Sequence, residues 1–529
     1  MNVLARAFRC RLSQAFACLA LAAMLVLMTS CGKSKRSAES SADTSENLTL
    51  SSEFKLSLKI PFLSSKSGDS EAKTDAPLPD PQEWYEQAFI SAQTEPASTF
   101  AIDVDKAGYS FVRNALESGQ LPNPASVRIE ELVNYFTYSS YPAPTGNQPF
   151  VIHFEMSDCS WNEDHRLIMV ALRSKNLDTE LIPPSNLVFL VDVSGSMDTP
   201  TGLPLVKTSL RKLVDRLRPE DKVSLVTYAG TTQVVLNPTS GSEKMKILSA
   251  IDKLKSGGAT AGGAGLTLAY EQAQSSFLKN GNNRIILATD GDFNVGISSD
   301  EELVKLIEEK KKTGIYLSVL GFGMNGASDV KMEKLTNAGN GFYAYLDSEE
   351  EADKTLIREL SGTLMTVATD VKIQTVFDPE VVESYRLIGY DNRRLAKEDF
   401  ENDAKDAGDL GAGHFVTAMY EVKLRKKVAK GTQLAVVRSR YKPKADAPSL
   451  LSEQPIYDNQ VPFPQTSSDF RFASAVTAYG LILRQSEFKG SANWKWVEQT
   501  ASQALGADLN GDRKGFLTLV QQASRLSVQ

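Results

Sequence analysis

Asp192, Ser194 and Ser196 alternate over five residues in the run Val191-Asp192-Val193-Ser194-Gly195-Ser196-Met197, where an apolar stretch gives way to small residues. The tight turn that Gly195 permits lets both serines face one side, so two hydroxyls and a carboxylate can converge on a single point. An all-oxygen shell of this kind suits a hard divalent cation, octahedral at about 2.0–2.1 Å for magnesium and looser for calcium. Other chemistry is poorly supplied. His153, His165 and His414 are the three histidines, scattered without zinc-type spacing, and each reads as a surface or packed residue. No Gly-x-Ser-x-Gly elbow is present, and Cys159 reads as a core or half-buried thiol. The glycine-rich stretch 257–265 lacks the Gly-Lys-Ser/Thr ending of a nucleotide loop and reads as a place of close backbone approach.

The elements that must position this loop follow from the hydrophobic periodicity. From residue 186 to about 346, apolar strands at 187–191, 223–228, 285–288 and 315–320 alternate with amphipathic helices at 204–217, 243–254, 264–278, 300–312 and 329–337. That alternation predicts an α/β, doubly wound parallel sheet covered on both faces, with ligands at the carboxyl ends of its strands. Strand patterns at 100–104, 150–156 and 167–172 precede it, together with helices at 106–118 and 127–136. Strands at 371–376, 383–388, 414–422 and 432–438 come after it, behind a helix at about 350–367. The economical arrangement is a β-sandwich with the α/β unit inserted, and two independent flanking domains are the alternative. Helices at 469–485, 494–504 and 515–526 close the chain.

The loop at Asp192 resembles the metal-ion-dependent adhesion site (MIDAS) of von Willebrand factor type A (VWA) and integrin inserted domains. The family pattern needs two more loops, and both stand in order: Thr260 in Gly257-Gly258-Ala259-Thr260, 68 residues on from Asp192, and Asp290 in Thr289-Asp290-Gly291, 30 residues further. The resemblance covers about 160 residues. It implies that Ser194, Ser196 and Thr260 offer oxygen ligands while Asp192 and Asp290 act largely through bound waters. The cation would be Mg²⁺, with Ca²⁺ or Mn²⁺ as alternatives, and a partner's Asp or Glu would complete its shell. The stretches 98–105, 256–266, 289–294 and 508–520 are similar to bacterial lipoproteins of the Yfb-type VWA group, which extends the likeness over nearly the whole mature chain. Asp508-Leu509-Asn510-Gly511-Asp512 is similar to half an EF-hand loop. Arg513 stands where glycine is needed and Leu519 where a bidentate Glu is needed, so it reads as a turn between helices.

The amino-terminal end reads as an export signal: Arg6, Arg9 and Arg11 precede an apolar run from Ala15 to Met28, too short to span a bilayer comfortably. Met28-Thr29-Ser30-Cys31 resembles a lipobox, which makes Cys31 the expected lipidation site, with Met28 standing where leucine is usual. Acyl chains there would hold the protein to the membrane at about 0.8 kcal/mol per buried CH₂. Of four cysteines, Cys10 and Cys18 leave with the signal and Cys31 carries lipid, so Cys159 has no internal partner. Loss of three arginines and no acids takes the formal charge from −7 to −10, which disfavours nucleic acid as a partner.

The expected organisation is a signal peptide (1–30), a flexible Ser-, Lys- and Asp-rich tether (31–82), an N-terminal α+β region (83–184), the VWA domain (185–348) and a C-terminal region (349–529). The last of these is sandwich-like at 366–442 and helical at 466–529. Asp103 and Asp105 read as solvated carboxylates at a strand end, and the tyrosines at 138 and 141 are candidates to border an interaction surface. The expected function is metal-dependent protein–protein interaction or adhesion at the cell envelope, in the outer membrane if the host is Gram-negative, without enzymatic activity. The alternatives are a metal-assisted hydrolase, for which Asp292 is the extra carboxylate near the motifs, and a scaffold that uses the metal only for stability.

Overall fold

The computed structural model describes residues 86–177, 182–258, 262–291, 300–323, 329–359, 362, 365–391, 394–403, 407–444 and 447–527, all within one compact unit, 77–529. Cys31, the signal and tether segments, Thr260 and Asp292 lie outside the described residues.

The α/β unit carries a six-stranded sheet in the order Tyr343–Leu346, Ile315–Phe322, Asn282–Thr289, Ser185–Asp192, Lys222–Tyr228, Thr232–Ser240. All neighbours are parallel except the last pair, an antiparallel hairpin. Side chains on a strand alternate between faces, and the Ser185–Asp192 strand shows it. Leu187, Phe189 and Val191 pack with helices Leu203–Arg216 and Lys244–Asp252, while Val188 and Leu190 pack with Gly262–Ser275, Asp300–Lys311 and Asp329–Ala338. A strand covered on both faces must be apolar at every position, which is why this run lacks alternation in the sequence.

Strands from before and after the α/β unit interleave in two antiparallel sheets. One runs Ile90–Ser91, Val382–Ile388, Phe415–Leu424, Asn162–Ser174, Phe150–Cys159; the other runs Arg394–Leu395, Ala97–Ala101, Thr366–Phe377, Thr432–Lys442, Leu450–Asp458. Ile168, Val170 and Leu172 of the first sheet share a core with Ile373, Phe377 and Val437 of the second, which makes the pair a sandwich. The alternate residues of the same strand, Leu167, Met169 and Ala171, face outward onto helices Ser468–Leu483, Trp494–Gln503 and Asp512–Leu526. The α/β unit is inserted between Ser174 and Thr366 of this sandwich.

The helix expected at about 350–367 is shorter: Glu349–Asp353 continues as a π-helical turn, Lys354–Arg358, and the chain is already in a strand at Thr366. Strands Thr232–Ser240 and Leu450–Asp458 were not anticipated; both lie at sheet edges, and each contains a proline that edge pairing tolerates. Tyr138 and Tyr141 do not border a surface. Both are buried in the helical core, and Tyr138 Oη donates to Val133 O at 2.6 Å.

Lys354 marks the seam between the α/β unit and these helices. Its ammonium is 3.1 Å from the Tyr135 ring centroid and donates to Tyr135 O at 2.7 Å. Burial pulls its pKa down to about 8. A lysine lowered in the folded state is protonated in the unfolded chain and neutral in the native one from about pH 8 toward its ordinary 10.5. Stability therefore rises with pH in that window, by up to ~1.4 kcal/mol per pH unit. Lys354→Met is expected to remove that contribution, seen as a flatter dependence of the urea midpoint on pH between about 8 and 10. An unchanged slope would show that Lys354 titrates normally.

Candidate metal centre

Asp192 ends the strand that lies between Lys222–Tyr228 and Asn282–Thr289, so it sits where chain connections diverge to either side of the sheet. Crevices at such switch points, at the carboxyl ends of parallel strands, are where open α/β sheets hold ligands. The Asp192 carboxylate is fully buried. Its Oδ1 accepts from the Ser194 amide at 2.8 Å, and its Oδ2 accepts from Thr289 Oγ1 at 3.4 Å. Ser194 Oγ lies 3.0 Å from Ser196 Oγ, with Ser194 buried and Ser196 exposed, so the hydroxyl pair spans from the interior to solvent.

The neighbouring loops are tied to this turn by backbone bonds. The Gly257 amide donates to Val193 O at 2.8 Å, and the Gly195 amide donates to Gly258 O at 3.1 Å. Gly258 has φ +94°, and a Cβ there would stand 3.1 Å from the Gly230 amide nitrogen, so the position requires glycine. This stitching brings the chain to within two residues of Thr260. On the other side the Gly291 amide donates to Thr289 Oγ1 at 3.1 Å and fixes the turn that carries the half-buried Asp290.

Burial pushes the Asp192 acid up, and the charge of Asp290 pushes the same way; hydrogen bonds from Ser194 and Tyr228 oppose them. Asp290 is therefore close enough for its charge to be felt at Asp192. A buried carboxylate whose proton affinity is raised by burial and by the charge of Asp290, beside a hydroxyl pair of which Ser196 reaches solvent, makes an oxygen-only donor set whose electrostatics call for a cation. The residues fit a hard divalent ion: Asp192, Ser194, Ser196 and Asp290 are the groups that would hold it. Thr289 and Tyr228 also contribute. Sequence reasoning includes Thr289 in the Asp290 motif without a role and passes over Tyr228, whose only signal is its place at the end of a strand flanking Asp192. Among the described residues no group of three or more His, Cys, Asp or Glu gathers as metal ligands, at this turn or elsewhere, so the donor set here rests on hydroxyls as much as on carboxylates.

The sequence matches the von Willebrand factor type A domain over residues 186–359, von Willebrand factor over 80–169, and the C-terminal region of the uncharacterized protein YfbK over 362–526. It is 42% identical over 452 residues to the uncharacterized protein YfbK of Escherichia coli (strain K12), an alignment covering 81% of this chain and 78% of that one. The chain belongs to the YfbK group of VWA proteins. More distant relatives of this VWA protein share shorter stretches with it. Uncharacterized protein sll0103 of Synechocystis is 29% identical, covering 38% of this chain and 48% of its own, and the human inter-alpha-trypsin inhibitor heavy chain H2 is 27% identical, covering 33% and 19%. A solved von Willebrand factor type A protein from Catenulispora acidiphila shares 14% identity at a TM-score of 0.41, covering 72% of this chain and 92% of that one.

In this YfbK-group protein the set-aside motifs are structural. Asp508 accepts from the Arg513 and Lys514 amides at 3.0 and 2.9 Å, so its carboxylate satisfies the first turn of helix Asp512–Leu526. His153 Nε2 is 2.9 Å from Pro142 O, and His165 Nδ1 is 2.6 Å from Glu421 Oε1. Burial lowers His414 to about 4, which keeps it neutral. Cys159 is buried, and burial raises its thiol far above the ordinary range, which makes it unreactive. Asp105 Oδ1 accepts from the Tyr343 amide at 3.3 Å, so this acid ties the N-terminal region to the α/β sheet.

Proposed function

We propose that this protein is a lipid-anchored envelope module that binds a divalent cation at Asp192, Ser194, Ser196, Thr260 and Asp290 and captures protein partners through it, without enzymatic activity. VWA domains typically mediate protein–protein interaction or adhesion, and many bind a divalent cation. The observation that carries the reading is the buried Asp192 carboxylate beside Asp290 and the Ser194–Ser196 hydroxyl pair, at the carboxyl end of the central strand. A bound cation would supply an electrophilic point that draws a partner's carboxylate. The chain's own part is to fix the hydroxyls by the Gly195 turn and to hold Asp192 in place through the Ser194 amide and Thr289. Cys31 carries the anchor in this proposal, and Mg²⁺ is the favoured ion.

The test is a crosslinking pull-down from envelope membranes with the full-length protein in detergent, in magnesium or manganese and again in chelator. Partners captured only with the cation, and lost in Asp192→Ala, are expected. Partners retained in chelator would overturn the proposal. A large drop in melting temperature on chelation with an unchanged set of partners would indicate the scaffold reading instead. Phosphoester turnover abolished by Asp292→Asn would indicate a hydrolase.

A further inference from the structure

Arg284 is the third residue of strand Asn282–Thr289, about 17 Å along it from the candidate metal site and at the opposite end of the sheet. The residue is 5% exposed. Its Nη1 donates to Ser318 Oγ at 2.6 Å, and its guanidinium lies 5.7 Å from the Tyr316 ring centroid. Its Nε has no hydrogen-bond partner, and no carboxylate among the described residues pairs with it. Burial lowers its pKa to about 10, with Tyr316 and Asp409 opposing, so the group is charged at neutral pH. A cation withdrawn from water without a counter-ion is costly, and folds rarely keep one unless something compensates for it.

Arg284 lines a cavity of about 530 Å³ at the seam where the α/β unit meets the sandwich. Asp409, on the sandwich side, is engaged elsewhere: it accepts from Asn340 Nδ2 at 2.9 Å and from the Asp370 amide at 3.3 Å. Lys334 stands exposed on the wall, with no ion-pair partner among the described residues.

We propose that this cavity is a binding site for a small organic oxyanion, a carboxylate or phosphate on a larger body, with Arg284 as its anchor and Lys334 as a guiding charge. A guanidinium presents planar donors that match either head group. The volume falls in the range of small-molecule sites and exceeds what an inorganic ion fills. Asp103, Glu308 and Asp409 line the walls together with Arg284, Lys311 and Lys334, so the lining is balanced in charge, a second negative charge on the ligand is disfavoured and a singly charged or zwitterionic molecule fits best.

The experiment is thermal shift and calorimetry on the full-length protein with acetate, glycine and inorganic phosphate as probes, against chloride at equal ionic strength. At least one probe should stabilise the wild-type protein where chloride does not; phosphate alone would identify a phosphate head, and acetate or glycine a carboxylate. Arg284→Met should abolish that response and also melt higher than wild type in probe-free buffer, because an unpaired buried charge is gone. Lys334→Ala, an exposed change that leaves the fold intact, should weaken binding roughly threefold to fivefold. The proposal is overturned by a wild-type response no larger than that to chloride, by an undiminished response in either variant, or by Arg284→Met melting lower than wild type in probe-free buffer. The last result would make the guanidinium a structural tie to Ser318 and Tyr316.

Discussion

Asp192→Asn is expected to stabilise the metal-free protein at neutral pH and to abolish its stabilisation by magnesium or manganese. The exchange keeps an acceptor for the Ser194 amide, which bonds Oδ1 at 2.8 Å, and removes the charge that burial and Asp290 disfavour. An acid whose folded-state pKa is raised holds its proton in the native chain while the unfolded chain has already lost it. Stability therefore falls as pH rises from the ordinary aspartate value of 3.8 to the higher folded value, and the full cost remains above that window. The variant should lack this fall when unfolding is followed across the acid range in chelator. A cation reverses the sign for the wild type: at a concentration 100 times its dissociation constant it contributes about 2.7 kcal/mol. An equal metal-dependent rise in melting temperature in Asp192→Asn would place the cation elsewhere.

The second large effect concerns the sandwich. Arg386 is fully buried, with Nη1 2.9 Å from Glu86 Oε1 and Nη2 3.0 Å from Glu421 Oε2, and its guanidinium stacks 4.3 Å from the Phe488 ring centroid. Glu421 is 1% exposed and also accepts from Trp161 Nε1 at 3.3 Å. Burial acts to raise its acid, yet His165 and Arg386 hold it below the usual range. Arg386→Ala would leave that carboxylate without its main cation in a low-dielectric site. The expected loss is about 3–5 kcal/mol, read from the urea midpoint. Arg386→Met combined with Glu421→Gln should recover much of it, because the pair is then gone rather than halved. A loss below about 1 kcal/mol in the single variant would mean that water reaches Glu421.

These two sites were legible to different degrees. The turn at Asp192 is written locally: a strand end, a glycine and two hydroxyls within five residues define it, and the repeated strand–helix alternation predicts the sheet that carries it. Asp290 could be ordered relative to Asp192 because parallel strands bring their carboxyl ends together wherever their sequence positions fall. Thr289 was visible only as part of the same motif, because a threonine ending a buried strand carries no mark of the bond it makes to Asp192. The sandwich was anticipated as strands before and after the insert. Its pairings, such as Ala101 with Lys372 and Ala171 with Thr417, depend on partners that no local pattern names. Arg284, Lys354 and Arg386 were least legible. Charged residues in a sequence read as surface, and only the folded seam shows that they are withdrawn from water.

The insertion has a consequence for how the polypeptide reaches its native state. Sheet partners such as Ala171 and Thr417 are roughly 250 residues apart along the chain, and closing a loop of that length before any reward is gained is slow. The α/β unit is built from shorter-range strand–helix–strand steps and can complete itself first. Once it has done so, the connections to Ser174 and Thr366 are held by one rigid body, and the search that closes the sandwich becomes much shorter. Variants that destabilise the central parallel sheet should therefore delay formation of the flanking sheets they never touch, and expose the unpaired edges of those sheets to aggregation in the interval.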